Sequence, residues 1–200
     1  MDSPGIRDFQ KDPFIHFSRW YGIIEKENNP NYNALALSSS DGSGRVSSRM
    51  VLLKHYDSDG FVFFSNYESR KGRQLARNPY ASMLFYWPDH GRQVRIEGRV
   101  IKVSEQESDD YFNSRIPGHR INALISDQST EIPGRQYLID RYDKAASVYR
   151  DTPPRRPAYW GGYRLVPDLF EFWQEGENRL HDRMEYRLQD EVWIKRRLAP

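Results

Sequence analysis

Cationic side chains recur along this chain at spacings that could hold anions. Arg49 and Lys54 bracket the apolar run Met50-Val51-Leu52-Leu53. Side chains alternate faces along a strand, so the two cations would leave on opposite faces and could serve different anions. From this hexamer alone, two solvated strand ends are the simpler explanation. Ser69-Arg70-Lys71-Gly72 falls at a helix start. Cations there oppose the helix dipole unless an anion docks on the free N–H groups, which points to a phosphate site; a short basic surface helix is an equal alternative. Read as a strand, Arg179-Leu180-His181-Asp182-Arg183 projects Arg179, His181 and Arg183 from one face. Three such groups repel one another unless a carboxylate or an anionic ligand lies over them, and the plainer alternative is an exposed edge strand with scattered charges. Tyr111 and Arg115 stand at i and i+4 on a helix and can reach one target, although a salt-bridged surface pair explains them nearly as well. Trp160 and Trp173, each taken singly, read as core residues.

Other chemistries are poorly supported. The chain has no cysteine, which excludes disulfides, thiolate catalysis and Cys-ligated zinc. His16, His55, His90, His119 and His181 show no HExxH or HxH spacing, so no metal site is expected. There is no Gly-x-Ser-x-Gly elbow, Gly-x-Gly-x-x-Gly fingerprint or Walker loop. Asp57-Ser58-Asp59-Gly60 opens like a calcium loop but lacks the distal Glu, and reads as a turn. Thirty Lys plus Arg against 28 Asp plus Glu give a formal charge of only +2, so no global attraction to nucleic acid is expected. The polar start, Met1 to Asp8, is no secretory signal, and no apolar run approaches the ~20 residues that span a bilayer. A soluble, cytoplasmic globular protein is expected.

The elements that must position these residues are mainly strands. Residues 1–11 read as a mobile N-terminal arm and residues 12–200 as one domain, for which 38% hydrophobic content and five Trp supply a core. Asp12-Pro13 starts an amphipathic helix to about Lys26, with Phe14, Phe17, Trp20 and Ile24 on one face, and Asn28-Asn29-Pro30-Asn31 ends it. The pattern then predicts strands at Ala34–Ser38, Val46–Tyr56, Gly60–Asn66, Ala81–Trp87 and Arg92–Val103. A short helix from Ser69 to Arg77 interrupts them, with Ser69 as cap and Leu75 and Ala76 facing inward. Such spacing argues for an antiparallel barrel with flanking helices. Helices follow at Glu105–Arg115, Arg120–Ser126 and Gln136–Tyr149, then an extended Pro/Arg connector. The tail reads as strands at Tyr159–Val166, Leu169–Gln174, Arg179–Leu188 and Val192–Leu198, with Pro167-Asp168 as a turn.

Taken in order, the blocks resemble the pyridoxamine 5′-phosphate oxidase family. They are Arg49–Lys54, Asn66–Gly72, Gly91–Gly98, Tyr111–Arg115, Ser126–Ser129, Trp160–Leu165, Glu171–Gln174 and Arg179–Arg183, within a likeness that runs from about Asp12 to Pro200. The resemblance implies an FMN-binding split β-barrel and a homodimer with FMN in clefts between the subunits. It implies oxidation of pyridoxine or pyridoxamine 5′-phosphate to pyridoxal 5′-phosphate, by hydride transfer from C4′ to flavin N5, with O2 reduced to H2O2. By motif position, Arg49, Met50, Val51, Leu52, Phe64, Ser65, Arg70, Lys71, Gln93, Gln128, Ser129, Trp173 and Arg183 would hold FMN. Lys54, Tyr111, Arg115, Arg179 and His181 would hold substrate, with Arg179 and His181 over its ring as the catalytic pair.

Two departures fall on the substrate side. His119 stands where the family usually has a Ser that helps bind substrate phosphate, within Ile116-Pro117-Gly118-His119-Arg120-Ile121-Asn122-Ala123-Leu124. Either His119 and Arg120 bind the same phosphate differently or the pocket takes another molecule. The N-terminal arm also lacks the family's usual Arg-x-x-Tyr-type segment. The alternatives are an FMN oxidase of the same fold acting on another substrate, such as a phenazine precursor, and a non-catalytic flavin or nucleic-acid binding barrel.

Overall fold

The Asp12 carboxylate accepts a hydrogen bond from Phe14 N (2.8 Å) and, with Pro13 at the first position, starts α1 (Pro13–Lys26). This helix buries Phe17, Trp20, Tyr21 and Ile24 against the sheet. The structure, a computed structural model, describes residues 9–27 and 29–200. The expected arm over residues 1–8 and the expected stop at Asn28 lie outside these. The arm's last residues are anchored: Phe9 is buried against His16, Phe172 and Tyr186, and Tyr186 Oη donates to Gln10 O (2.7 Å).

Nine antiparallel strands follow: β1 (Ala34–Ser40), β2 (Val46–Leu52), β3 (His55–Asp57), β4 (Gly60–Asn66), β5 (Tyr80–Trp87), β6 (Arg92–Lys102), β7 (Trp160–Gln174), β8 (Asp182–Gln189) and β9 (Val192–Leu198). Among the described residues five α-helices flank them, the others being α2 (Arg70–Arg77), α3 (Glu105–Ser114), α4 (Pro117–Ile125) and α5 (Arg135–Val148). The main path runs β2-β1-β5-β6-β7-β4-β3. Strand β7 keeps β6 along one edge, whereas its other edge pairs β4 over Trp160–Leu165 and β8 over Leu169–Gln174. The sheet divides there, giving a split β-barrel. Its core holds Phe17, Leu35, Phe61, Phe63, Met83, Phe85, Phe170 and Phe172, each essentially inaccessible. Burying a side chain of this size contributes roughly 1.5–3 kcal/mol.

The backbone departs from the sequence pattern in several places. The expected strand Val46–Tyr56 is two strands: Leu53 N bonds Asn33 O (2.8 Å) while Lys54 N bonds Val62 O (2.9 Å), so the chain changes partner between them. Pro167-Asp168 is no turn. Register shifts at Glu97/Gly98, opposite Pro167 and Leu169, which leaves Asp168 as a bulge inside one long strand. Gly98 permits it, because a Cβ there would collide with the Val166 carbonyl oxygen. Helix α4 begins at Pro117 rather than Arg120, using proline's fixed φ at the first position. Finally, Arg179 is not in a strand. It ends a short 3-10 turn (Glu177–Arg179) with a left-handed φ of 62°, following Asn178 at 53°, and β8 starts only at Asp182. The expected stack of Arg179, His181 and Arg183 on one strand face is therefore not formed.

Candidate functional site

Ser69 caps α2, its hydroxyl accepting from Gly72 N (3.3 Å). Gly72 lets the first turn lie on the preceding loop, since a Cβ would strike the Tyr67 carbonyl. Lys71, Gln74 and Leu75 share the inward stripe of this helix; Ala76, expected inward, is exposed. Gln74 is buried, and its Oε1 accepts from Ser39 Oγ (2.8 Å), Ser47 Oγ (2.9 Å) and Arg49 Nη2 (3.1 Å). Arg49 also donates to Leu37 O, Ser39 Oγ and Ser47 Oγ. All these acceptors are neutral oxygens. Burial, then the charge of Arg70, lowers the pKa of the Arg49 guanidinium.

Lys71 Nζ donates to Ser65 Oγ (3.0 Å) and Gln128 Oε1 (3.0 Å). Burial, then the charge of Arg49, pushes its amine down to about 8. Arg70 is exposed at the first position of the same helix. Three cations thus gather at a helix N-terminus, where the macrodipole adds positive potential, without a carboxylate partner among the described residues. The arrangement fits a phosphate.

A cleft of about 360 Å³ opens beside this cluster. Met50, Val51, Leu52, Lys54, Phe64, Ser65, Lys71, Tyr111, Arg115, His119 and Gln128, all singled out in the sequence, line it. Its floor is aromatic: Tyr111 stacks on Phe64 (ring centroids 3.9 Å apart, planes 18° apart), and Phe64 lies 5.6 Å from Trp160. The Arg115 guanidinium sits 4.7 Å over the Trp160 ring, with Nη1 buried and unpartnered among the described residues. Burial lowers the Arg115 pKa. Lys54 Nζ lies 5.9 Å over Tyr111, and His119 is exposed to the cleft from the first turn of α4. The cleft therefore carries a second cationic wall beside a flat apolar surface.

Asn66, Asn122, Ala123, Ser126 and Trp160 also line the cleft without having been singled out as ligand contacts. Trp160 is core and cleft wall at once, packing on Phe112. Gln74 was not singled out either; its signal is a polar residue three places after Lys71 on the stripe that faces inward.

The remaining expected residues do not join this cleft. Ser129 is exposed with a left-handed φ of 71°. Gln93, Trp173 and Arg183 are cross-strand neighbours at the far end of β6, β7 and β8. From Trp160 to Trp173 the strand covers on the order of 40 Å at ~3.3 Å per residue. There His181 lies 4.7 Å from Trp173, and Gly176 N donates to its Nδ1 (3.2 Å), which leaves the proton of a neutral ring on Nε2. Arg183 Nε donates to Glu171 Oε1 (2.7 Å), and Arg95 holds the other carboxylate oxygen. Burial would lift the Glu171 carboxyl, but these bonds outweigh it and hold it below its ordinary value. Arg179 is exposed and has no ion-pair partner among the described residues. Among those residues no group of three His, Asp or Glu could hold a metal ion, and no helix is long and apolar enough to cross a membrane.

Comparison with known proteins agrees with this architecture. A sequence profile described as pyridoxamine 5′-phosphate oxidase matches residues 26–149, and one described as the pyridoxine 5′-phosphate oxidase C-terminal dimerisation region matches residues 160–200. The pyridoxine/pyridoxamine 5′-phosphate oxidase of Paraburkholderia phytofirmans is 49% identical over 202 residues, covering 100% of this chain and 94% of the relative. The chloroplastic pyridoxine/pyridoxamine 5′-phosphate oxidase 1 of Arabidopsis thaliana is 47% identical over 96% of this chain and 37% of its own length. Among solved structures, PhzG from Burkholderia lata 383, in complex with tetrahydrophenazine-1-carboxylic acid, superposes with a TM-score of 0.93 at 30% identity, covering 100% of this chain and 98% of that one. A pyridoxamine 5′-phosphate oxidase-related, FMN binding protein of Nostoc punctiforme shares the fold, with a TM-score of 0.73, 16% identity and coverage of 94% and 98%. The chain belongs to the pyridoxamine 5′-phosphate oxidase family.

Proposed function

We propose that this protein is an FMN-dependent oxidase that converts pyridoxamine or pyridoxine 5′-phosphate to pyridoxal 5′-phosphate, and that it works as a homodimer. The observation that carries this reading is the pair of cationic sites bordering one aromatic-floored cleft, neither of them neutralised by a carboxylate among the described residues. One suits a cofactor phosphate and the other a substrate phosphate. The names of the relatives support the activity, and the dimerisation-region match supports the homodimer.

Arg49, Arg70 and Lys71 would hold the FMN phosphate, with Ser65 and Gln128 beside them. The donor set fits: the half-buried Arg49 guanidinium and Lys71 ammonium meet only neutral oxygens, and a dianion would supply the charge they lack. Met50, Val51, Leu52 and Phe64 would line the rest of the cofactor's bed. FMN, when bound, supplies the two-electron acceptor that takes hydride from the substrate and returns the electrons to O2 as H2O2. Lys54, Tyr111, Arg115 and His119 would bind the substrate phosphate and orient the ring. Gln93, Trp173 and Arg183 of a second copy would complete the cofactor site, and its Arg179 and His181 would lie over the substrate ring. His181 Nε2–H would then be a donor fixed by the Gly176 contact. An alcohol substrate leaves as the aldehyde. An amine leaves as an imine that water hydrolyses to aldehyde and ammonia.

The second reading keeps the fold and the cofactor but changes the substrate. His119 in place of the family's usual Ser, and the likeness to PhzG, favour it. Purified protein should be yellow and release H2O2 with pyridoxine 5′-phosphate. A yellow protein that forms no pyridoxal 5′-phosphate would leave the second reading standing, and a protein unable to take up FMN would remove both.

A further inference from the structure

Arg156 lies outside the cleft but ties two of its walls together. Its side chain is 6% exposed. Nε donates to Asp109 Oδ1 (2.7 Å), Nη2 pairs with Glu105, and Nη1 donates to the backbone oxygen of Trp160 (2.7 Å). Glu105 and Asp109 are one turn apart on α3, the helix that carries Tyr111 and ends at Arg115. Trp160 opens β7, and its backbone N closes a turn onto Pro157 O (3.0 Å). One guanidinium therefore joins the connector, the helix and the first residue of the strand.

What it joins decides the cleft's geometry. The Arg115 guanidinium rests 4.7 Å over the Trp160 ring, and the Tyr111 and Trp160 rings are parallel to within 4° at 6.2 Å. Two other polar contacts among the described residues link α3 to β7: Gly162 N donates to Ser108 Oγ (3.2 Å), and Arg164 reaches Glu107 (3.3 Å). These hold the helix on the sheet without reaching Trp160, whose ring packs on Phe112 of α3 (5.2 Å). Among the described residues, only the Arg156 fork hydrogen-bonds both α3 and the Trp160 carbonyl. A lysine cannot reproduce it, having one nitrogen where the fork has three.

We propose that Arg156 is a positioning residue for the ligand's anionic group: it sets Trp160 against α3, and Trp160 in turn sets the perch of Arg115. The inference rests on the reading that Arg115 meets the substrate phosphate. Glu105 is largely exposed and Asp109 about half exposed, so both regain water when the fork is lost and the variant is expected to retain its fold. The test titrates FMN-loaded protein with pyridoxal 5′-phosphate and, separately, with inorganic phosphate. Arg156→Gln is expected to weaken both by about tenfold, and Arg156→Lys by nearly as much, with FMN content unchanged. In an Arg115→Ala background, Arg156→Gln should cost nothing further, because the two act through one contact. Unchanged affinity in Arg156→Gln, or losses that multiply in the double variant, would overturn the proposal. Wild-type protein that binds phosphate but not pyridoxal 5′-phosphate would overturn the functional reading alone, and the phosphate titrations would still judge Arg156. Binding of neither would remove both.

Discussion

The two ends of β7 handle positive charge in opposite ways. At the Trp160 end, Arg49 and Lys71 meet neutral oxygens and Arg115 lies on an aromatic face, so their charge is left for a ligand. At the Trp173 end the strands carry a ladder of compensated pairs: Arg95 and Arg183 share Glu171, Arg187 and Arg196 share Glu185, and Arg197 meets Asp182. Arginines in the ladder brace the sheet, whereas Arg49 and Arg115, which have no carboxylate among the described residues, border the cleft; Arg92, which also has none, is buried on the Trp20 ring and donates to Gln174 instead. Arg179 and His181 stand apart from their own neighbourhood. They occupy the left-handed turn and the residues just before β8, outside the ladder.

Breaking the uncompensated cluster should have the largest effect. Arg49→Ala is expected to weaken FMN binding about a hundredfold in a fluorescence-quenching titration, whereas Arg187→Ala, inside the ladder, should leave it unchanged. The ladder should answer in stability instead. Glu171→Gln takes the ion pair from Arg183 and leaves Arg95 with Glu97 alone, both arginines being about a third exposed, and urea unfolding should show a loss of about 2 kcal/mol. Arg179→Ala should lower turnover about tenfold with FMN content unaltered, because its role is to orient substrate. The smallest effect is a pH dependence. Lys71 titrates near 8 before an anion arrives, and a bound phosphate raises that value, so binding takes up a proton between the two. FMN affinity should therefore fall a few-fold as pH rises from about 7.5 to 9, and Lys71→Met should flatten the slope.

Much of this comparison was legible in the sequence, and the rest was hidden for definite reasons. Asp12 and Ser69 announce their helices because a cap needs only local chemistry, and strand alternation exposes the core faces of β1 and β5. Periodicity does not report which neighbour a backbone bonds. The partner change at Leu53-Lys54 and the Asp168 bulge were invisible for that reason, because both are set by strands distant in the chain. The fate of Arg179 was hidden too: nothing in Arg-Leu-His-Asp-Arg disfavours a strand, and its left-handed backbone depends on the Gly176–Leu180 turn. The cations could be listed from the sequence. Which of them lacked a carboxylate could be read only from the fold.

Under the proposed function, the separation of the two groups along β7 calls for a second copy to bring its Trp173 end to the cleft. Subunit complementation tests this most directly. Arg49→Ala chains and chains carrying both Arg179→Ala and His181→Ala should each be nearly inactive as homodimers. Mixed and allowed to exchange, half the dimers become mixed and each of those holds one intact site, so activity should return to about a quarter of wild type. Activity no higher than the mean of the two parents would show that each site is built within a single chain.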